Sequence, residues 1–413
     1  MDRVILHSDL NSFYASVECF YHPELRPFPV AVSGNAELRH GIILAKNQLA
    51  KSSGVKTGEA IWQARQKCPN LICVNPNYEL YTKHSQLARK IYTDYSDRVE
   101  SFGPDECWID ISGSVGGLAN GKPIADEIRG RIKYELGITA SVGVSFCKVF
   151  AKLGSDLKKP DATTVISRED FREKVWPLEA SEMIYIGRAT NEKLLRYGIH
   201  TIGELAQTEV GILRSLLGKN GAVLWSWANG RDYSEVRQYE KYPPVKSIGN
   251  STTAPRDIVH EDELKITLHL LCESVASRLR DHGCRCQTVQ ISIRDATLFS
   301  YERQAPLAYP ASDSESIYSI AIKLFSYHRL SEKPVRSLGI RACNLVRDTV
   351  TQLCLYPEVQ KMQRQEELER AMDGLRNRYG FHSIKRGLML TDNEMSALDA
   401  KGEHTIYPES FFH

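Results

Sequence analysis

The alternation of apolar and polar positions predicts strands and helices in close succession from the start of the chain. Residues 4–6, Val-Ile-Leu, form a short apolar run that predicts a buried strand ending at Asp9. Phe13, Val17 and Phe20 then recur at helical spacing, so a helix is expected directly after the strand. This arrangement places Asp9 at the carboxyl end of that strand.

The mixed α/β pattern continues for about 160 residues. A long helix is predicted over residues 78–99, and further helices over residues 123–136 and 147–158, the last of them stopped by Pro160. A half-buried strand is indicated by alternating apolar residues, namely Ile138, Ala140, Val142 and Val144. The first 166 residues therefore predict one α/β region.

The second half of the chain has a different pattern. Residues 168–232 predict short helices punctuated by glycine, and residues 233–244 form a polar linker that contains two adjacent prolines. Residues 245–346 predict a separate α+β unit, because helical and strand-like periods follow each other there. A charged helix over residues 357–378 precedes a polar tail.

Composition narrows the class of protein without identifying a function. The 413 residues exceed one ordinary core, so roughly two to four domains are expected. Hydrophobic residues at 42% and charged residues at 25% are typical of a soluble globular protein. The sequence has neither an apolar span of roughly 20 residues nor a signal peptide, so we expect a cytoplasmic protein without membrane contact.

Cysteine content and net charge argue against disulfides and structural zinc but do not decide whether the protein binds nucleic acid. The ten cysteines are scattered, which favours reduced thiols over a disulfide framework in a chain of this length. Cys284 and Cys286 lie near His282 but lack a second Cys/His pair at zinc-finger spacing, so no structural zinc is expected. The net charge of +2 neither demands nor excludes nucleic acid.

The stretch SFGPDECWIDISG, residues 101–113, combines two adjacent carboxylates with a strand pattern. Neighbouring side chains of a regular strand point to opposite faces, so Asp105 and Glu106 converge only if the turn at Gly103-Pro104 redirects them. The plainer alternative is a solvated hairpin tip. If the pair meets Asp9, the three carboxylates repel one another. Divalent cations that bind oxygen ligands are then expected to neutralise their charge.

Four motifs together resemble the Y-family of translesion DNA polymerases, of the bacterial DinB/UmuC kind. They are DLNSFYASVE (residues 9–18), PDECWIDI (104–111), SVGVSFCKVFAKLGSDLKKPD (141–161) and VKSIGNSTT (245–253). The resemblance covers residues 1 to about 346 in one register. It implies an α+β multidomain fold of the right-hand polymerase type, and leaves the choice between DinB-like and UmuC-like subgroups open.

The resemblance also implies domain boundaries. The palm comprises residues 1–10 and 78–166, with the fingers between them at residues 11–77. A thumb with helix-hairpin-helix elements follows at residues 167–232, then the linker at 233–244. The little finger spans residues 245–346, and residues 347–413 form a C-terminal extension.

By the same resemblance, Asp9, Asp105 and Glu106 are the catalytic residues. They bind two Mg²⁺ ions, or Mn²⁺ as the alternative, and the backbone carbonyl of Leu10 adds a ligand. Tyr14 matches the steric gate that selects deoxyribonucleotides. Phe13 is assigned to the nucleotide site beside it, although its ring is expected to face the core.

Lysines are the expected partners of the dNTP triphosphate. Lys159 matches a residue that reaches the triphosphate, and Lys148 and Lys152 lie on the same polar stripe as supporting charges. In the fingers segment only Lys51 keeps a charge where the family often has Thr, Tyr and Arg contacts. An ammonium lacks the bidentate fork of a guanidinium, so looser nucleotide binding is a hypothesis.

The remaining predictions concern DNA and protein partners. The thumb is expected to hold primer-template DNA by its phosphates, with the arginines of the little finger as further partners, Arg256, Arg294, Arg336 and Arg341. The peptide QLCLY, residues 352–356, resembles the motif that docks into the bacterial sliding clamp, with Gln352 and Tyr356 at its ends. Its alternative is a final edge strand on the little finger.

The predicted function is template-directed DNA synthesis from dNTPs by a monomer, with low fidelity, low processivity and tolerance of damaged templates. Two alternatives from other classes are a non-catalytic DNA-binding or clamp-recruiting subunit and a nucleotidyl cyclase. All three acids are present, which disfavours the first, and a small-molecule enzyme has no use for a duplex grip, which disfavours the second.

Overall fold

The computed structural model describes residues 2–34, 41–239, 241, 244–327, 332–348 and 357–402. These residues form two compact units, which divide at residues 243 and 244. Throughout the described ranges, every helix is too short or too polar to cross a membrane. The nine cysteines within these ranges are all free thiols, in agreement with the sequence prediction.

The first unit is built on a five-stranded sheet and a smaller three-stranded sheet. The described strands are β1 (Ile5–Leu10), β2 (Val30–Ser33), β3 (Ile43–Lys46), β4 (Ile72–Val74), β5 (Val99–Ser101), β6 (Glu106–Asp110), β7 (Ala140–Ser145) and β8 (Thr163–Ile166). The larger sheet has the order β5-β6-β1-β7-β8, and the smaller one has the order β3-β2-β4. Strand β1 lies at the centre of the larger sheet, antiparallel to both neighbours.

Helices cover both faces of the larger sheet and form the rest of the first unit. They are α1 (Phe13–Tyr21), α2 (Gln48–Ser52), α3 (Ile61–Lys67), α4 (Tyr78–Thr93), α5 (Gly121–Leu136), α6 (Lys148–Leu157), α7 (Phe171–Val175), α8 (Arg188–Arg196), α9 (Ile202–Gln207), α10 (Val210–Leu217) and α11 (Lys219–Ala228). Leu6, Leu10 and Val142 belong to the core that also contains residues of α4 and α5. Ile5 and Trp108, on the other face, pack against Ala151 of α6.

Helix α4 ends at Thr93, earlier than the expected residue 99. The chain turns because the following residues bond to strand β6: Ser96 Oγ donates to the Asp110 carbonyl at 2.6 Å, and Asp110 N donates to the Arg98 carbonyl at 3.0 Å. Strand β5 can then pair with β6 from Val99 onward. Tertiary hydrogen bonding overrides the helical period here.

The second unit is a four-stranded antiparallel sheet covered by helices. Its described elements are β9 (Ser247–Ile258), α12 (Glu261–Asp281), β10 (Cys284–Asp295), β11 (Ser300–Ala311), α13 (Ser314–Tyr327), β12 (Val335–Arg347) and α14 (Pro357–Tyr379). The strand order is β11-β10-β12-β9, so β9 and β11 are the edges. Residues 357–402 pack as part of this unit.

Candidate active site

The register of the central sheet brings the first and third acids together. Asp9 at the end of β1 lies directly opposite Glu106 at the start of β6. In an antiparallel pair, residues that face each other point to the same side of the sheet, with Cβ atoms roughly 5 Å apart. The sequence prediction that these carboxylates meet is therefore matched by the strand pairing.

Asp105 reaches the same region because the chain turns just before β6. Gly103 adopts a φ of 101°, which favours glycine. Phe102 N donates to the Glu106 carbonyl at 2.8 Å across the turn, and Leu10 N donates to the Asp105 carbonyl at 3.0 Å. Asp105 thus precedes the regular strand, so its side chain need not point to the face opposite that of Glu106.

Helix α4 holds this turn from behind. Ser85 Oγ donates a hydrogen bond to the Pro104 carbonyl, and Arg89 donates one to the Gly103 carbonyl at 3.3 Å. Both side chains are buried. The position of the acidic pair is therefore set by contacts from a distant segment.

Two lysines from the α6 region neutralise the acids. Lys152 Nζ lies 2.8 Å from Glu106 Oε1 and 3.4 Å from Asp9 Oδ2. Lys159 Nζ lies 2.7 Å from Asp9 Oδ2, and both ammonium groups also contact Asp156. The predicted stripe of lysines thus supplies two cations to the carboxylates.

Lys148, the third lysine of the stripe, has other partners. Its Nζ lies 2.7 Å from Glu100 Oε2 and 4.4 Å from the centroid of the Trp108 ring. The Trp108 indole in turn donates to the Lys148 carbonyl at 3.0 Å. Lys148 therefore anchors the start of α6 to the sheet.

The three carboxylates perturb one another's protonation. Burial, together with the negative charges of Asp9 and Glu106, raises the pKa of Asp105 to about 7. Burial and the Glu106 charge likewise raise the pKa of Asp9. Burial alone would also raise the pKa of Glu106, but its contacts with His7 and Lys152 outweigh this and lower it. Such opposed shifts are typical of functional sites.

His7 is a site residue that the sequence analysis missed. Its ring is fully buried on the same face of β1 as Asp9, two positions earlier, and burial lowers its pKa to about 4. Ser155 Oγ donates to the Lys152 carbonyl at 2.7 Å and shares a hydrogen bond with His7 Nδ1 at 2.9 Å. The sequence did contain a sign of this role, because a polar residue two positions before Asp9 in an apolar strand points to the same face as Asp9.

The remaining ring nitrogen of His7 faces the acid. His7 Nε2 lies 3.4 Å from Glu106 Oε2, and neither atom has a hydrogen-bond partner within the described part of the chain. Glu106 Oε2 is therefore a buried oxygen with unused capacity to accept a cation.

The three acids supply the oxygen ligands that divalent cations such as Mg²⁺ prefer, but their side chains are not gathered around one point. In the residues that the structure describes, no group of three or more His, Cys, Asp or Glu side chains is gathered closely enough to hold an ion. The positive charge between Asp9 and Glu106 comes from Lys152. The role of the Leu10 carbonyl stays a prediction.

Tyr14 and Phe13 occupy different environments on α1. Phe13 is 3% exposed and belongs to the core, as its neighbourhood in the sequence predicted. Tyr14 is half-buried and stacks on Tyr81 with a centroid distance of 4.2 Å, while Tyr78 contacts it edge-on at 6.1 Å. The Tyr14 ring is thus held in a defined position by neighbours from α4.

Lys51 lies in the last turn of α2, beside the three-stranded sheet, and its side chain is exposed. Lys46 of β3 donates to Thr57 Oγ1 at 2.9 Å. Burial and the nearby charge of Lys51 lower the pKa of Lys46. The fingers segment therefore holds two neighbouring cations, and the assignment of Lys51 to the nucleotide stays a prediction.

The predicted DNA-contacting residues of the second unit differ in their availability. Arg256 pairs with Glu263, Asp392 and Glu394. Arg294 donates to Ser300 Oγ at 2.9 Å, and Arg341 is exposed. The candidate clamp peptide, residues 352–356, lies outside the described residues.

Comparison with known proteins agrees with this geometry. The model of the impB/mucB/samB family matches residues 8–156, and the model of the family's C-terminal domain matches residues 245–355. The chain is 51% identical over 399 residues to DNA polymerase IV of Acetivibrio thermocellus, a match that covers 96% of this chain and all of the relative. It is 37% identical to DNA polymerase IV 2 of Bacillus subtilis, covering 94% of this chain and 95% of that one.

A solved structure shows the same fold. The Y-family DNA polymerase chimera Dbh-Dpo4(243-245)-Dbh superposes with a TM-score of 0.73 at 22% identity, covering 83% of this chain and 99% of the chimera. The right-hand polymerase fold that the motifs predicted is thereby confirmed. Relatives of this identity and coverage place the chain in the DinB-type subgroup. The chain belongs to the impB/mucB/samB family of Y-family DNA polymerases.

Proposed function

We propose that this chain is a template-directed DNA polymerase of the translesion type, which transfers a nucleotide from a dNTP to the 3′-hydroxyl of a primer and releases pyrophosphate. The observation that carries the proposal is the pairing of Asp9 with Glu106 across β1 and β6, with Asp105 beside them. Membership of the family and relatives that bear the name DNA polymerase IV support the same activity. Low fidelity and low processivity are part of the proposal.

Divalent metal dependence follows from membership of the family. We assign the metal ligands to Asp9, Asp105, Glu106 and the Leu10 carbonyl, with two Mg²⁺ ions as the expected occupants. Two observations fit this assignment: Glu106 Oε2 is buried with no hydrogen-bond partner in the described structure, and burial together with the Asp9 and Glu106 charges raises the pKa of Asp105. Bound divalent ions would activate the primer hydroxyl and stabilise the leaving pyrophosphate.

The chain's own side chains would orient the nucleotide. Lys159 and Lys51 are assigned to the triphosphate as cations. The Tyr14 ring, fixed by Tyr81, is assigned to the sugar, where it would exclude a 2′-hydroxyl by contact. Phe13 would support Tyr14 from the core, since their ring centroids lie 5.6 Å apart.

The domain assignment remains part of the proposal. The palm comprises residues 1–10 and 78–166, the fingers 11–77, the thumb 167–232 and the little finger 245–346. Primer-template DNA would be held by thumb and little finger, and the extension from residue 347 would carry the clamp peptide. We expect a monomer that acts in the cytoplasm.

The decisive experiment measures extension of a primed template with one dNTP and Mg²⁺. The isosteric variants Asp9→Asn, Asp105→Asn and Glu106→Gln should each lower the rate by at least about 1,000-fold, because charge stabilisation at the reacting atoms is removed. Primer-template affinity, measured in parallel by fluorescence anisotropy, should be unchanged. A variant that extends at the wild-type rate would remove that residue from the catalytic set.

The clamp assignment has its own test. Alanine at Gln352, Leu355 and Tyr356 should abolish binding to a bacterial sliding clamp while clamp-free primer extension continues at the normal rate. Loss of both activities would instead indicate that the peptide is structural.

A further inference from the structure

Lys159, which is proposed above for the triphosphate, stands on an irregular loop between α6 and β8. Helix α6 ends at Leu157 and strand β8 begins at Thr163, so residues 158–162 connect them. A lysine carries its ammonium on a long flexible stem, so the space that the ammonium can reach depends on how firmly the backbone below it is held. The contacts that fix this loop therefore decide whether Lys159 can meet a nucleotide.

The residue that anchors the loop is Asp161, two positions after Lys159. Pro160 has no N–H group, so Asp161 N is the first main-chain donor beyond the lysine. It donates to Asn11 Oδ1 at 2.8 Å. Arg129 of α5 donates to the Asp161 carbonyl and, at 2.6 Å, to its carboxylate. Both main-chain polar groups of Asp161 and its side chain are thus bonded to other elements.

Asp161 adopts a backbone conformation that needs such contacts. Its φ is 52°, in the left-handed region that residues other than glycine enter at a cost in free energy. A conformation of this kind persists where the surrounding structure fixes it, and such outliers cluster at functional sites. The bonds from Asn11 and Arg129 hold the loop in a shape that it would otherwise leave.

Asn11 is itself held in one orientation. Its side chain is buried, Nδ2 donates to Ser141 Oγ at 2.9 Å, and Oδ1 accepts from Thr139 Oγ1 at 3.1 Å. Its N–H donates to the Thr139 carbonyl at 2.8 Å, and its carbonyl accepts from Ser16 Oγ at 2.7 Å. An amide side chain suits this place because it carries a donor and an acceptor together. With Nδ2 fixed on Ser141, Oδ1 faces Asp161.

The position of Asn11 in the chain links the loop to the acids. Asn11 lies two residues after Asp9 and directly after Leu10, which are both assigned to the metal ions. Lys159 Nζ lies 2.7 Å from Asp9 Oδ2. A single side chain thus joins the end of β1 to the loop that carries Lys159, and a shift of that loop would move the ammonium relative to the acids.

We propose that Asn11 is a positioning residue, which holds the loop at residues 159–161 so that the Lys159 ammonium reaches the triphosphate of the incoming dNTP. The inference rests on the proposed polymerase function, since it concerns how the nucleotide is held in that reaction. Asn11 would act only through Asp161 and Lys159 and would touch neither the nucleotide nor the metal ions. Its loss should therefore weaken nucleotide binding more than it slows bond formation.

The test measures the KM for dNTP and kcat in primer extension by the full-length protein. Asn11→Ala should raise KM about tenfold and change kcat less, because the loop loses a buried hydrogen bond and the ammonium loses its fixed place. Asn11→Asp keeps an acceptor for Asp161 N, and Ser141 can turn its hydroxyl to donate to the second oxygen. Its KM should lie closer to that of the wild type than to that of Asn11→Ala.

The matched control is Asn250→Ala in the second unit. Asn250 is also buried, and its Nδ2 donates to Ser274 Oγ at 3.0 Å. Its loss should lower the free energy of unfolding and leave the KM for dNTP unchanged. An equal rise of KM in Asn250→Ala and Asn11→Ala would show that destabilisation alone weakens nucleotide binding, and would overturn the proposal.

A double-mutant cycle separates positioning of Lys159 from an independent effect. If Asn11 acts through the lysine, Asn11→Ala should raise KM no further in a protein that already carries Lys159→Ala. The same tenfold rise in both backgrounds would overturn the proposal, as would a wild-type KM in Asn11→Ala.

A second variant covers the case that Asn11→Ala does not fold. Asn11→Ser keeps a hydroxyl for Ser141 in the buried site but is too short to reach Asp161 N, so it should also raise KM. If neither variant folds, Asn11 is structural and the proposal fails. A wild-type protein that extends no primer would refute the polymerase function itself, whereas normal extension with a wild-type KM in the variants would refute only the role of Asn11.

Discussion

The Tyr14 ring illustrates how much a single side chain depends on its neighbours. It lies on α1 close behind Asp9, and its near-parallel stacking on Tyr81, with 12° between the ring planes, leaves it little freedom to swing aside. Tyr81 is fully buried, and its hydroxyl donates a hydrogen bond to Glu18, which is itself a residue of α1. The proposed exclusion of ribonucleotides therefore depends on a braced ring.

Removing this ring should relax the choice of sugar. For Tyr14→Ala we expect the ratio of kcat/KM for dNTP over rNTP to fall on the order of 10- to 100-fold, because a steric contact of a few atoms is lost. Single-nucleotide incorporation with matched dNTP and rNTP measures it. Tyr14→Phe retains the ring and should keep the wild-type ratio; equal ratios in all three proteins would contradict the assignment.

His269 predicts a pH dependence of stability in the second unit. It is stacked on Tyr318 with centroids 3.7 Å apart, and burial together with the Arg386 charge lowers its pKa from 6.5 to about 4. Between these two values the unfolded chain binds the proton more tightly, so the free energy of unfolding rises with pH and falls as pH drops from 6.5 towards 4.

Replacing His269 by Phe should flatten that dependence, since the stacked ring stays and the titrating group disappears. Urea unfolding at pH 5 and pH 7.5 measures the difference. The exposed His282→Gln variant serves as the control and should keep the wild-type slope. His7 also has a lowered pKa, but it lies in the first unit, so the pH dependence of that unit's unfolding should be unchanged in His269→Phe.

At the residue scale, the sequence identified the acids and the two nearby lysines but not their arrangement. Asp9, Asp105, Glu106, Lys152 and Lys159 were all recognised from motifs. His7 escaped because a lone histidine in an apolar strand carries no motif. The neutralisation of Asp9 by both lysines depends on how closely α6 approaches the sheet, which no local pattern encodes.

Among the elements, helix α6 governs the geometry of the acids because it lies unusually close to the sheet. A Cβ on Gly143 of β7 would come within 1.9 Å of the Ala151 carbonyl oxygen and 2.5 Å of Ser155 N. Only a residue without a side chain permits this approach. Lys152, one position after Ala151, can then reach Glu106 and Asp9.

Gly143→Ala should therefore damage both stability and activity. The helix would have to shift away from β7, which we expect to cost more than about 3 kcal/mol of unfolding free energy and to slow primer extension strongly. Gly130→Ala in α5 is the control, since its Cβ would meet nothing within 4 Å and should stabilise by about 0.5–1 kcal/mol. Chemical denaturation and primer extension check both.

Periodicity predicted the longer helices of the first unit, with end errors of at most two residues for α5 and α6 and of six residues for α4. The helices expected at 123–136 and 147–158 are found at Gly121–Leu136 and Lys148–Leu157. Edge strand β11 was not predicted, because it contains Pro306 and Pro310 and few strongly apolar residues. Such a strand is specified by pairing with β10 more than by its own sequence.

On the scale of the whole molecule, the C-terminal segment is bound to the second unit by buried ion pairs. Arg280 of α12, whose side chain is 5% exposed, contacts Glu369 and Asp373 of α14 at 2.7 Å each. Arg386 contacts Glu273 of α12 from beyond α14. The sequence predicted a charged helix here, but its charges resembled those of a solvated surface because their partners lie about 90 residues away.

Arg280→Ala should destabilise the second unit by about 3 kcal/mol, since Glu369 would stay buried with only Arg386, 3.8 Å away, as a cationic neighbour. Arg370→Ala, which removes an exposed arginine 3.4 Å from Asp348, is the matched control and should cost less than about 1 kcal/mol. Urea unfolding followed with probes in each unit separates the two transitions. Equal effects of the two variants would show that the buried ion pairs contribute no more to the free energy of unfolding than an exposed one.

The pairing of Arg256 with Glu263, Asp392 and Glu394 has a consequence for the thermodynamics of duplex association. An arginine that displaces condensed counterions contributes about 0.9 to the slope of log K against log salt concentration. A guanidinium that is already paired with carboxylates releases no counterions from DNA. Replacing Arg256 should therefore leave the salt dependence of the DNA-binding constant unchanged. Asp392→Asn combined with Glu394→Gln and Glu263→Gln would remove all three charged partners of Arg256 and make the titration steeper.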